Sequence, residues 1–267
     1  MSSQQPTELY ESNQQAIGAW SRFARGAPRG LVQEAPGVTF TFANVPLAFF
    51  NMAFLSAPVL NANELNDRIT AVKDYGSKSS VPWMFCSCTE WLPESVRASE
   101  EDAFSRHGLH AAMPLIGMVA DVASITAGTN APLDYRRVEN RETCFAASDI
   151  NCAAYGIPPE IGRESFFEGM FGDDVFGYVG YLQGQPVTAA GVWIVDQIQY
   201  VAMVATHPEH RRKGYAESVM RHSLQEARKA TGITRTVLHA TEAGFPVYAR
   251  MGYRSVARFT MYAEPHT

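Results

Sequence analysis

The sequence has little of what marks several common classes of protein. Cysteine is scarce, at four of 267 residues, which is too few for the disulfide framework of a small secreted domain. No apolar run reaches 18 residues, and the first residues lack the basic and apolar regions of a signal peptide. Basic residues do not outnumber acidic ones, and the net charge of −5 argues against binding to nucleic acid or to an anionic membrane. We therefore expect a cytoplasmic protein with no membrane partner.

The four cysteines also give no metal-binding pattern. Cys86 and Cys88 flank Ser87 in a predicted strand, so both side chains point to the same face. Two thiolates on one face can ligate a metal, but no partnering His/Cys pair is nearby. Buried, reduced thiols are the favoured interpretation, and we expect no metal site.

What the sequence does contain is a basic, glycine-bearing loop between a strand and a helix. An apolar strand over 197–205 stops at residues 206–210 (Thr-His-Pro-Glu-His), and Arg211-Arg212-Lys213-Gly214-Tyr215-Ala216 follows. In the next segment the apolar residues recur with the helical period: Ala216, Val219, Met220, Leu224 and Ala227. The first N–H groups of a helix have no intrahelical partner, and the helix dipole adds positive charge there. This arrangement predicts an anion site suited to a pyrophosphate.

The same run resembles motif A of the GCN5-related N-acetyltransferase (GNAT) family. That motif is an apolar strand followed by [Q/R]-x-x-G-x-[G/A] and a helix, and Arg211, Gly214 and Ala216 fill its three specified places. The resemblance implies that the loop amides hold the pyrophosphate of acetyl-CoA and that the strand, with a bulge, binds the pantetheine arm. The implied cofactor-binding residues are Met203, Val204, Ala205, Thr206, Arg211, Arg212, Lys213, Gly214, Tyr215, Ala216 and Thr241.

A second stretch lies at the spacing that this fold requires. After a predicted strand over 234–240, residues 248–253 (Tyr-Ala-Arg-Met-Gly-Tyr) are similar to motif B of the family, and a last strand follows from about 255 to 262. In many members the tyrosine at the place of Tyr248 is the general acid that protonates the departing thiolate. A phenol, with a reference pKa near ~10, keeps its proton at pH 7 and suits that role. The alternative interpretation is a packed aromatic side chain.

The chain has the organisation of a duplication. Residues 122–133 are small, polar and interrupted by Gly and Pro, which predicts a linker between halves at 1–121 and 134–267. Both halves end alike, since residues 104–109 (Phe-Ser-Arg-His-Gly-Leu) share the register of residues 248–253. We therefore predict an α/β (α+β) fold of two tandem GNAT-like domains, each a mixed, mostly antiparallel sheet flanked by helices. Phe104 replaces the tyrosine, and no motif A precedes the linker, so we expect a degenerate N-terminal half.

The resemblance implies direct transfer of an acetyl group from acetyl-CoA, used as a co-substrate, to a primary amine. We expect a small-molecule amine, and a monomer or a homodimer. Three alternatives stay open: a longer acyl-CoA donor, a non-catalytic CoA-binding regulatory module, and a protein acetyltransferase. Backbone N–H groups near Val204 are expected to polarise the thioester carbonyl, and Phe166, Phe167, Met170 and Phe171 form an apolar cluster that includes candidate acceptor-pocket residues. The candidate bases are Glu168, Asp173, Asp174, Asp196, Glu209, Glu242 and His239. His207 and His210 are expected to be phosphate neighbours or surface residues.

Overall fold

The computed structural model describes residues 4–122 and 131–265, with side chains described from residue 7 onward. The chain divides into two compact units. The first comprises the residues up to 117 together with 240–243 and those from 255 onward, and the second comprises 118–239 and 244–254. This division differs from the expected halves, because the end of the chain belongs to the first unit. Most of the expected linker, residues 123–130, lies outside the described residues.

The elements are named in chain order. The helices are α1 (Gln4–Gly26), α2 (Ala62–Gly76), α3 (Glu94–Arg97), α4 (Glu100–Ser105), α5 (Arg141–Tyr155), α6 (Pro159–Ser165), α7 (Tyr215–Thr231) and α8 (Phe245–Arg250). The strands are β1 (Leu31–Ala35), β2 (Val38–Phe42), β3 (Asn51–Leu55), β4 (Met84–Cys88), β5 (His110–Asp121), β6 (Asp134–Arg137), β7 (Tyr178–Leu182), β8 (Gln185–Val195), β9 (Ile198–Thr206), β10 (Arg235–Ala240) and β11 (Arg254–Ala263). No helix among the described residues is both long enough and apolar enough to cross a membrane.

The first unit is built on a mixed sheet. Strands β1, β2 and β3 pair antiparallel, β3 and β4 pair parallel, and β4 pairs antiparallel with β11. Helix α1 packs on this sheet through Trp20 and Phe23, which are both buried. The indole N–H of Trp20 donates to the backbone oxygen of Phe49 at 2.6 Å. The buried aromatic rings around these contacts give the unit a core of its own.

The second unit repeats this arrangement. Strands β6, β7, β8 and β9 pair antiparallel in that order, and β9 and β10 pair parallel. Helix α7 connects the parallel pair, and it buries the apolar face that its sequence period predicts, with Val219, Met220, Leu224 and Ala227 fully enclosed. Its end is capped by Gly232 in the left-handed conformation, with φ 74°.

Corresponding parts of the two units fold alike at the level of single hydrogen bonds. A strand, a helix and a parallel strand follow one another in both, as β3–α2–β4 and as β9–α7–β10. After the short helices α4 and α8, Gly108 and Gly252 both have a positive φ. Leu109 N then donates to Phe104 O at 3.1 Å, and Tyr253 N donates to Tyr248 O at 3.0 Å. The short sequence repeat therefore corresponds to a repeated turn.

Candidate functional site

A bulge interrupts strand β9 shortly before its end. Ala205 pairs with Ala189 of β8 and Ala202 pairs with Gly191, so β9 contains one residue more than β8 over this stretch. Met203, within the bulge, has φ 54°, in the left-handed region. A bulge takes backbone groups out of the ladder and turns them toward a neighbour or a ligand. The side-chain amide of Asn151 in α5 approaches the freed Met203 carbonyl, with Nδ2 3.5 Å from the oxygen.

The loop after β9 contains two residues with a left-handed backbone. Arg212 has φ 61° and Gly214 has φ 78°, so the left-handed conformation recurs at alternate residues. Left-handed residues in a tight loop help to turn neighbouring N–H groups toward a common concavity, as in known anion-binding loops. The N–H groups of residues 215–217 open α7 without intrahelical acceptors, since the first helical bond joins Ser218 N to Gly214 O at 3.0 Å. Loop and helix together form an anion cradle at residues 211–217.

The three cations of the loop differ in their contacts with the rest of the protein. The Arg211 guanidinium donates from Nη2 to the backbone oxygen of Ala154 at 2.7 Å and from Nε to that of Thr206 at 3.4 Å. It therefore ties the loop to the last turn of α5 and to the end of β9. Arg212 is exposed, and Lys213 is exposed with Nζ 3.4 Å from the backbone oxygen of Glu209. Arg212 and Lys213 are thus the cations with the most freedom to meet an incoming anion.

The predicted cofactor-binding residues fall into two groups. Those from Met203 to Ala216 lie together in the second unit, along the bulged strand, the loop and the first turn of α7. Tyr215 is buried, so its backbone N–H rather than its ring belongs to the cradle. Thr241 follows β10 in the segment 240–243, which belongs to the first unit. Its role as a cofactor ligand stays a prediction.

The equivalent connection in the first unit is closed by its own side chains. Between β3 and α2, the Arg68 guanidinium donates to the backbone oxygens of Ala57 at 2.5 Å and of Pro58 at 2.9 Å. The carboxylate of Glu64 accepts from Leu60 N at 2.7 Å, and the side chain of Asn61 accepts from Glu64 N at 3.0 Å. Two of the amides in this connection are therefore occupied, and an acidic side chain lies at the start of the helix, where it disfavours a phosphate.

Tyr248 lies in α8, half-buried. Burial raises the pKa of its phenol well above the usual value, and the nearby hydroxyl of Tyr155 raises that pKa further. The group is therefore a neutral proton donor across the physiological range of pH. Tyr155, at the end of α5, is a neighbour of Tyr248 that the sequence did not reveal, because a lone aromatic before the glycine that caps a helix carries no pattern.

The candidate bases differ in their exposure to solvent. The carboxylates are all exposed: Glu168, Asp173, Asp174, Asp196, Glu209 and Glu242. Asp196 lies in the turn before β9, at the opposite end of that strand from the anion cradle. His239 of β10 is half-buried, and the Tyr200 hydroxyl lies 2.9 Å from its Nδ1. Burial lowers the pKa of His239 to about 3, so its imidazole is neutral at pH 7.

The members of the apolar cluster before β7 also differ in their exposure to solvent. Phe166 and Met170 are buried and belong to the core, whereas Phe167 and Phe171 are half-exposed. The Phe171 ring lies 5.7 Å from that of Trp193, whose N–H donates to the backbone oxygen of Met170 at 2.9 Å. Phe167 and Phe171 are therefore the members of this cluster that remain available to line an acceptor pocket.

A sequence model of the acetyltransferase (GNAT) domain matches residues 170–256, which contain the bulged strand, the anion cradle and Tyr248. These residues form a GNAT domain. The resemblance seen in motifs A and B is confirmed over this part of the chain. It supports acyl transfer in general and names no acceptor. No curated protein matches the chain.

Solved structures share the fold over nearly the whole chain. A GCN5-related N-acetyltransferase from Kribbella flavida has a TM-score of 0.71 at 17% identity, with 96% of each chain covered. A protein of unknown function from Staphylococcus epidermidis has a TM-score of 0.65 at 15% identity, over 88% of this chain and 93% of the other. A tandem GNAT protein from the clavulanic acid biosynthesis pathway has a TM-score of 0.53 at 13% identity, with 96% of each chain covered. The predicted fold class, with GNAT-like folds in tandem, is confirmed.

Proposed function

We propose that this protein transfers the acetyl group of acetyl-CoA directly to the primary amine of a small molecule. The observation that carries the proposal is the anion cradle at residues 211–217. It follows the end of β9, the strand that contains the bulge at Met203. The cradle offers backbone N–H groups and two exposed cations, Arg212 and Lys213, to a pyrophosphate. The bulge offers backbone groups that have left the strand ladder to a pantetheine arm. An acidic chain with no acidic run gives no reason to prefer a basic peptide as the acceptor.

In the proposed reaction the bulge N–H groups near Val204 polarise the thioester carbonyl. The nitrogen of a neutral amine forms a bond to the carbonyl carbon, and the carbon–sulfur bond then breaks. Tyr248 supplies a proton to the departing sulfur, and the nitrogen gives up one of its own protons. That proton passes to a base and then to solvent, and Tyr248 regains its own proton from solvent. The neutral imidazole of His239 and the exposed carboxylates are the candidate bases. No covalent enzyme intermediate is needed.

Tyr248 favours an enzyme over a CoA-binding module that does no chemistry. A regulatory domain needs the anion cradle alone, and it gains nothing from a phenol whose pKa is raised by burial. The first unit shows what a degenerate copy looks like, since Phe104 stands at the equivalent place and Arg68 fills the equivalent loop. The second unit has neither change.

Isothermal titration calorimetry with acetyl-CoA tests the proposal. We expect one site per chain, because in the first unit the equivalent loop carries the carboxylate of Glu64 and lacks the run of cations found at residues 211–213. Two sites would show that the first unit also binds the cofactor, and the absence of binding would end the proposal. A screen of small amines would then follow the release of CoA with a thiol reagent. All four cysteines are buried, so the protein adds little background.

A further inference from the structure

A histidine-rich turn joins the end of β9 to the anion cradle. His207, Glu209 and His210 each offer one ligand atom there, and these atoms all lie within 4.8 Å of one another. The proposed acetyl transfer uses neither histidine, and Glu209 is only one of several candidate bases. The turn therefore needs an explanation of its own.

Backbone hydrogen bonds define the conformation of this turn. Residues Pro208–His210 form one turn of 3-10 helix, in which side chains three residues apart lie directly above one another. His210 N donates to His207 O at 2.8 Å, which closes the turn. His207 N donates to Val187 O of β8 at 2.9 Å, which fixes it to the sheet. Two imidazoles are thus presented on the same side of a rigid support.

Both rings contain a buried nitrogen that lacks a partner. The Nδ1 atoms of His207 and His210 are inaccessible to solvent and have no hydrogen-bond partner among the described residues. An unsatisfied buried polar atom is unfavourable, because it has lost its hydrogen bonds to water. A cation bound through these nitrogens would remove that penalty at both positions, and it would also fix the tautomer of each ring.

We propose that His207, Glu209 and His210 bind one zinc ion. Two imidazoles and a carboxylate are a common protein ligand set for Zn²⁺, and three protein ligands leave one coordination position for water. Tetrahedral coordination places neighbouring ligand atoms about 3.3 Å apart, given bond lengths of about 2.0–2.1 Å. The three atoms therefore move together by small side-chain rotations when the ion binds. Calcium and magnesium prefer oxygen ligands and fit this set poorly.

The charges around the turn set the expected affinity. Arg211, Arg212 and Lys213 follow directly, and their charges oppose a divalent cation. Lys213 donates to the backbone oxygen of Glu209 rather than to its carboxylate, so that carboxylate stays available as a ligand. We expect a dissociation constant on the order of micromolar, weaker than that of a structural zinc site, which lacks such neighbours. The ion is a ligand of the loop and takes no part in the transfer chemistry.

Calorimetry with zinc chloride on the full chain without a histidine tag tests this site. We expect one zinc ion per chain for the wild type. A variant with both His207→Ala and His210→Ala should bind at least about tenfold more weakly, because it loses two of three ligands. Glu209→Gln changes an exposed side chain to one of nearly the same size, so it should weaken zinc binding without affecting the fold. His110→Ala, at an exposed histidine of the first unit, is the matched control and should bind as the wild type does.

Thermal unfolding separates a lost site from a lost fold. Zinc should raise the melting temperature of the wild type and of His110→Ala, and it should leave that of the double histidine variant unchanged, since a ligand stabilises only the folded state that binds it. Wild-type protein that takes up no zinc would overturn the proposal. Undiminished uptake by a folded double variant would overturn it equally, because the ion would then bind elsewhere.

Discussion

Replacing Gly214 with aspartate is expected to abolish acetyl-CoA binding. Gly214 has φ 78° and is the N-cap of α7, at the centre of the anion cradle. An aspartate side chain there can accept from the first N–H groups of the helix, as N-cap aspartates do, and its negative charge occupies the place of a phosphate. The left-handed backbone also strains any residue with a Cβ atom. Calorimetry should show affinity reduced by at least about 10²-fold, which corresponds to about 2.7 kcal/mol.

Gly232→Asp is the matched control for this change. Gly232 caps the other end of α7 with φ 74°, and a Cβ atom built there meets nothing within 4 Å. The two variants therefore share the strain of a left-handed residue and the added charge, and they differ in distance from the cradle. Acetyl-CoA should bind Gly232→Asp as it binds the wild type. Retained affinity in Gly214→Asp would show that the loop is not the pyrophosphate site.

The anion cradle could be predicted from the sequence because its parts are local. The strand end, the cations, Gly214 and the first turn of α7 lie within about 15 consecutive residues, and each contributes backbone groups whose geometry depends on near neighbours. The role of Arg211 could not be predicted in this way. Its guanidinium bonds to Ala154, which is 57 residues away, and only the packing of α5 against the loop brings the two together. The same packing brings Tyr155 close to Tyr248.

The division into units could not be predicted either, because it depends on contacts between residues that are far apart in the sequence. The apolar pattern near the end of the chain predicts a strand, and β11 is found at Arg254–Ala263. The pattern does not identify the partner of that strand, because alternation reports which face is buried and not which edge is paired. In the structure Phe259 pairs with Cys88 and Tyr262 pairs with Phe85, so the last strand completes the sheet of the first unit. A boundary drawn from linker composition alone cannot reveal such a pairing.

Tyr248→Phe is expected to lower kcat by about 10²-fold or more, which is the range for the loss of a general acid. The change removes one hydroxyl and keeps the ring, and the anion cradle is untouched, so the affinity for acetyl-CoA should stay as it is in the wild type. Burial holds the pKa of this phenol above its ordinary value of 10.0. The wild-type rate should therefore show no loss from ionisation of Tyr248 as the pH rises toward 10, because the donor stays protonated throughout that range. Steady-state kinetics of CoA release, together with calorimetry, measures both effects.

Tyr253→Phe provides the comparison that separates proton donation from packing. Tyr253 lies in the same short motif, with its ring 6.1 Å from that of Tyr248, and its hydroxyl is 2.9 Å from Thr236 Oγ1 in the buried interior. Loss of that hydrogen bond should cost about 1 kcal/mol of stability, seen as a lower melting temperature, and it should leave kcat close to the wild-type value. If the two variants instead lose stability alike and neither loses turnover, Tyr248 is a packing residue. A catalytic role requires that turnover fall in Tyr248→Phe alone.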